Sequence, residues 1–125
     1  MTEDRKVFVL GQNLFFLPRI MNAAKQAGLT MRLTNTEADF WNAYQEQSPT
    51  LALVDLEGDP DVWPKVLEEL KTRNSETKLV AFGPHSDIKG MELARSLGCD
   101  QVLSKGEFSR DMPQVIAQYA DSTAS

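Results

Sequence analysis

Leu51-Ala52-Leu53-Val54-Asp55-Leu56-Glu57-Gly58 is a short apolar run that ends on a carboxylate and a turn. A run this brief, closed by glycine, reads as a strand buried on both faces, the form strands take in a parallel sheet. Val7–Leu10 and Leu79–Phe82 have the same character. Met31–Leu33 alternates and is shorter, which places it nearer an edge, and Gln101–Leu103 is a fifth strand.

Helical patterns fill the gaps. The first runs to about Ala27, with Ile20, Met21, Ala24 and Ala27 on one stripe and Gly28 at its end. The second starts after Thr36, with Asp39 three residues on, an imperfect capping box, and presents Ala38, Trp41 and Tyr44. The third starts near Asp59–Pro60, where Asp caps and Pro takes the first turn, and turns Val66, Leu67 and Leu70 inward. The fourth follows Ser86, carries Met91, Leu93, Ala94 and Leu97, and stops at Gly98. The fifth follows Ser109 with Val115, Ile116 and Tyr119. The polar stretch from Asp121 to Ser125 reads as a frayed tail. Strict alternation of strand and helix with short connections implies a parallel α/β sheet, right-handed crossovers and helices on both faces.

The chain has 125 residues, enough for one domain spanning 1–125 with an ordered core over about 6–119. Its net charge of −5 and pI near 4.8 disfavour nucleic-acid binding, which needs a basic footprint. No apolar run approaches the ~20 residues of a membrane span. Cys99 is the only cysteine, so an internal disulfide is excluded. A cytoplasmic location is the expectation.

In such a sheet ligands bind beyond the carboxyl ends of the strands. Gly11, Gln12 and Asn13 follow the first strand, and Asp55, Leu56, Glu57 and Gly58 the third. Gly83, Pro84 and His85 follow the fourth, and Ser104, Lys105 and Gly106 the fifth. A carboxylate and an ammonium thus reach one edge from two strands.

Lys6-Val7-Phe8-Val9-Leu10, Leu53-Val54-Asp55-Leu56 and the segment from Ala94 to Lys105 together resemble a response-regulator receiver domain, over roughly Lys6 to Tyr119. The resemblance implies a flavodoxin-like (CheY-like), doubly wound five-stranded sheet in the order 2-1-3-4-5. It puts Asp55 at the phosphoacceptor position and Lys105 at the position of the family's lysine. Three positions depart from the family. Gly11 and Gln12 stand where a receiver carries two acidic residues that hold Mg²⁺. Gly83 stands where it carries Thr or Ser, and Gly106 where it carries Pro.

Mg²⁺ takes octahedral oxygen ligands, usually carboxylates with water and phosphate, so losing the acidic pair should weaken it sharply. Phosphoryl transfer relies on positioning and charge neutralisation, much of it from the metal. Glu57 is an alternative ligand, just past Asp55. The plain structural reading of Asp55 and Lys105 is an ion pair closing the strand ends. No resident metal or cofactor is expected.

Leu14-Phe15-Phe16-Leu17 cannot lie on one helix face, so part of it covers the strand ends or lies exposed as a partner patch, and Pro18 limits how early a regular helix starts. His85, the only histidine, is a candidate acid–base or ligand group, or a loop residue bonding local backbone. Cys99 precedes the fifth strand, at the far end of the sheet, which argues against a Cys–His pair or a zinc site and for a small core residue. Trp41 and Trp63 read as half-buried helix anchors. No glycine-rich phosphate loop is present, and a flavin site has only the fold in its favour.

The reading is a stand-alone, non-enzymatic signalling module of two-component type that acts by protein contact, free of the phosphorylation cycle. Its partner would be a histidine kinase, a downstream effector or a second copy in a homodimer. Two alternatives stay open: weak phosphorylation on Asp55, and a ligand-binding or enzymatic pocket using Asp55, His85 and Lys105.

Overall fold

A computed structural model describes residues 5–11 and 15–120. Its elements alternate as β1 (Arg5–Leu10), α1 (Leu17–Gln26), β2 (Leu29–Thr34), α2 (Glu37–Glu46), β3 (Leu51–Asp55), α3 (Trp63–Thr72), β4 (Lys78–Gly83), α4 (Ile88–Ser96), β5 (Gln101–Ser104) and α5 (Lys105–Ala120). The strands form one parallel sheet in the order β2-β1-β3-β4-β5. This is the flavodoxin-like order that the resemblance implied, with the alternating strand β2 at an edge.

Successive side chains of a strand point to opposite faces, so each central strand feeds two cores. Val7, Val9, Leu51, Leu53, Val80 and Phe82 pack under α1 and α5. Phe8, Leu10, Ala52, Val54, Leu79 and Ala81 pack under α2, α3 and α4. On the first face Phe82 and Phe108 stack with centroids 4.2 Å apart, and Phe16 meets both edge-on. On the second, Phe40 stands edge-on to Phe8, and the Arg73 guanidinium lies 4.2 Å above the Trp41 ring.

Several local expectations shift. Pro18 does sit in the first turn of α1, but Met21 is 54% exposed, because the buried stripe runs through Ile20, Ala23 and Ala24. The Thr36 hydroxyl accepts from the Asp39 N–H at 3.0 Å, as the capping pattern required. That phase buries Phe40 and Ala43, while Ala38 faces solvent. Leu93 is exposed on α4, whose single fully buried residue is Ala94. Asp59 builds a turn by accepting from the Asp61 N–H, so α3 starts only at Trp63, with Pro64 in its first turn.

The largest shift is in α5, which begins at Lys105 and not after Ser109. The Ser104 hydroxyl accepts from the Glu107 N–H at 3.1 Å, and the Glu107 carboxylate accepts from the Ser104 N–H at 2.8 Å. That reciprocal pair is a full capping box, Ser104-x-x-Glu107. Pro113 then lies inside the helix, where it has no N–H for the Ser109 carbonyl. Arg19 of α1 fills the gap, donating to the Ser109 carbonyl at 2.5 Å and to its hydroxyl at 2.7 Å.

Phe108 is fully buried at the meeting point of three rings. Phe108→Ala should lower the unfolding free energy by about 3–5 kcal/mol, the usual cost of emptying an aromatic site. Denaturant melts with an unchanged slope would register the loss as an earlier midpoint.

Candidate functional site

The carboxyl ends of β1, β3, β4 and β5 bring Gly11, Asp55, Gly83 and Ser104 to one edge, and Gly83 and Ser104 are direct partners in the ladder. Gln12, Asn13 and Leu14 lie outside the described residues, as does the tail at 121–125. Phe16 fills the core while Phe15 is 77% exposed, so the apolar run divides as its length demanded.

Asp55 is 2% exposed at the end of a strand buried throughout. A carboxylate so placed needs hydrogen-bond donors. One is the Glu57 N–H, 2.9 Å from Asp55 Oδ1, in a turn that the Gly58 N–H closes on the Asp55 carbonyl at 2.9 Å. Gly11 lies against the same side chain. A Cβ built on Gly11 would stand 2.5 Å from Asp55 Cβ, and its φ of +155° is one that L side chains rarely adopt. Position 11 therefore has no room for a carboxylate in this arrangement. A Cβ on Gly83 would stand 2.9 Å from Leu56 Cβ, so the Leu56 side chain occupies the ground where a hydroxyl would enter.

Lys105 forms an ion pair with Glu57, both partly exposed. The expected closing pair of two strand ends is thus made by Glu57, two residues past the strand. That engagement also takes up the carboxylate proposed as a substitute metal ligand. Ser104 is committed to the capping box. His85 is exposed in the turn between β4 and α4.

These residues do not fit Mg²⁺. Asp55 is buried, Glu57 is held by Lys105, and Gly11 offers neither ligand nor space. Among the described residues no cluster of three His, Cys, Asp or Glu side chains is placed to hold a metal ion. The cavity that Asp55 helps to line measures about 10 Å³. Small-molecule sites run to ~300–1,000 Å³. At the other end of β5, burial and then the charge of Asp100 push the Cys99 thiol up to about 12, which keeps it protonated and unreactive at neutral pH.

Sequence reasoning missed the Leu56–Gly83 contact, the Glu57–Lys105 pair and the capping box. The last was legible as Ser104-Lys105-Gly106-Glu107. The first two depend on the approach of separate strands, which no local pattern encodes.

The fold is that of response-regulator receiver domains. The receiver domain of NtrX from Brucella abortus matches with a TM-score of 0.76 at 19% identity, over 94% of this chain and 98% of that one. A CheY-like receiver domain protein from Methanospirillum hungatei JF-1 matches with a TM-score of 0.78 at 14% identity, over 96% of each chain. In sequence, the photosynthetic apparatus regulatory protein RegA of Rhodobacter capsulatus is 23% identical over 113 residues, which make up 90% of this chain. The chain spans 61% of the length of that regulatory protein. No protein-family profile matches. Among the described residues no helix is long and apolar enough to cross a membrane.

Gly11→Asp and Gly83→Thr should each destabilise the fold without creating Mg²⁺ affinity. Overpacking costs about 1–3 kcal/mol, and at position 11 backbone strain adds about as much. Thermal melts with and without Mg²⁺ check both effects: lower midpoints, unmoved by the metal.

Hydrogen bonds from the Ser104 N–H, and then the Ser104 hydroxyl, hold the Glu107 carboxyl below its ordinary value of 4.5. A lowered folded-state value means the stabilisation is present above the ordinary value and disappears as pH falls through the lowered one. Glu107→Gln should flatten that part of the stability curve, read from melts between about pH 6 and pH 2.

Proposed function

We propose that this protein is a receiver-fold signalling module that acts by protein contact and does not run a Mg²⁺-dependent phosphorylation cycle. The observation that carries the reading is the packing of Asp55 against Gly11, which leaves the buried carboxylate without an acidic neighbour on β1. The filled ground between Gly83 and Leu56 points the same way, since position 83 offers no hydroxyl and the Leu56 side chain takes the space one would enter. In this reading the module is an adaptor, not an enzyme. Its partner is a protein of a two-component pathway, such as a histidine kinase or a downstream effector, in the cytoplasm.

The ligand-binding alternative finds little support at the strand ends, where about 10 Å³ surrounds the one buried carboxylate of the described residues. The phosphorylation alternative is settled by intact-protein mass after incubation with Mg²⁺ and a small phosphodonor, beside Asp55→Asn. The expected result is no phosphoryl adduct on either protein. An adduct on the parent chain that Asp55→Asn abolishes would overturn the proposal.

A further inference from the structure

Glu57 touches both the carboxylate and the ammonium at the strand-end edge. Its backbone N–H donates to Asp55 Oδ1 at 2.9 Å, and its side chain forms an ion pair with Lys105. Both ends of that pair stand on tied backbone. The Gly58 N–H closes the turn on the Asp55 carbonyl, and the reciprocal bonds of Ser104 and Glu107 fix the chain on either side of Lys105. An ordinary surface pair must hold two long side chains in place and contributes little to stability. Here the backbone has already set both anchor points. The carboxylate is therefore a tethered ion, at a far higher local concentration than a free anion in solution. The pair also crosses the edge. Glu57 lies in the connection to α3, on one face of the sheet, and Lys105 opens α5, on the other.

We infer that the Glu57 side chain is an autoinhibitory contact, a carboxylate of the chain itself that occupies Lys105 and shuts it to anions from outside. The inference rests on the receiver-fold reading proposed above and deepens it, since it gives the closing of the edge to a particular residue. An ammonium already in contact with one carboxylate has most of its charge answered. A second anion gains little attraction there and meets the repulsion of Glu57 and Asp55.

The latch is releasable. The Glu57 and Lys105 side chains are 45% and 35% exposed, so competing ions reach the pair and salt screens it. Glu57→Gln removes the charge but keeps the backbone N–H that Asp55 uses, so it opens the latch and leaves the turn in place.

The experiment is an NMR titration of the full chain with inorganic phosphate at low ionic strength, beside sodium chloride at matched ionic strength. It follows the ε-methylene signals of ¹³C-labelled lysines, with Lys105→Arg to assign the one in question. In the parent chain phosphate should move the Lys105 signal no further than chloride does. In Glu57→Gln it should move that signal several-fold further than the signal of Lys65, an exposed lysine of α3. A Lys105 signal that phosphate moves equally in both proteins would mean that Glu57 shuts nothing out. One that phosphate moves in neither would mean that Lys105 takes no outside anion even when released. Either result overturns the latch. No phosphodonor is present, so an adduct on Asp55 in the mass measurement would overturn the proposed function and leave this test standing.

Discussion

A parallel strand in the middle of a doubly wound sheet has no wet face, and a carboxylate at its end must find donors in the chain around it. Every residue of β3 is buried, Asp55 included. The Glu57 N–H meets the carboxylate by turning the chain sharply, and Gly58 completes that turn. Gly11 lies against the aspartate from the next strand, and a second turn, on Asp59, holds α3 back until Trp63.

At positions 11 and 83 the acidic group and the hydroxyl of a receiver are not simply deleted: the ground is occupied, by Asp55 in one case and Leu56 in the other. Lys105, which would serve a phosphoryl group in a receiver, is held by Glu57. The strand edge is consequently packed and internally paired, while Phe15 and Ile88 are exposed near it.

Local patterns carried much of this into the sequence. The continuous apolar run at Leu51–Asp55 marked the central strand, and Thr36 with Asp39 marked the start of α2, because both depend on neighbours a few residues away. Face assignments failed where a helix has few buried positions. Ala94 alone anchors α4 fully, so nothing in the periodicity ruled out Leu93. Met21 and Ala38 were misplaced by one helical step, since a stripe read from sequence is wider than the contact it makes. The site was legible as a set of residues at one edge, but their partners were not. Whether Lys105 meets Asp55 or Glu57 is decided by the turn after β3, in ångströms rather than in residue types.

The proline inside α5 has a consequence for how the chain assembles. Without an N–H at Pro113, the turn around Ser109 is completed by Arg19, ninety positions earlier in sequence. A bond to so distant a partner forms only after the intervening chain has closed on itself. During synthesis α1 leaves the ribosome long before α5 exists. The contact between α1 and α5 therefore forms only once the ninety intervening positions have been made.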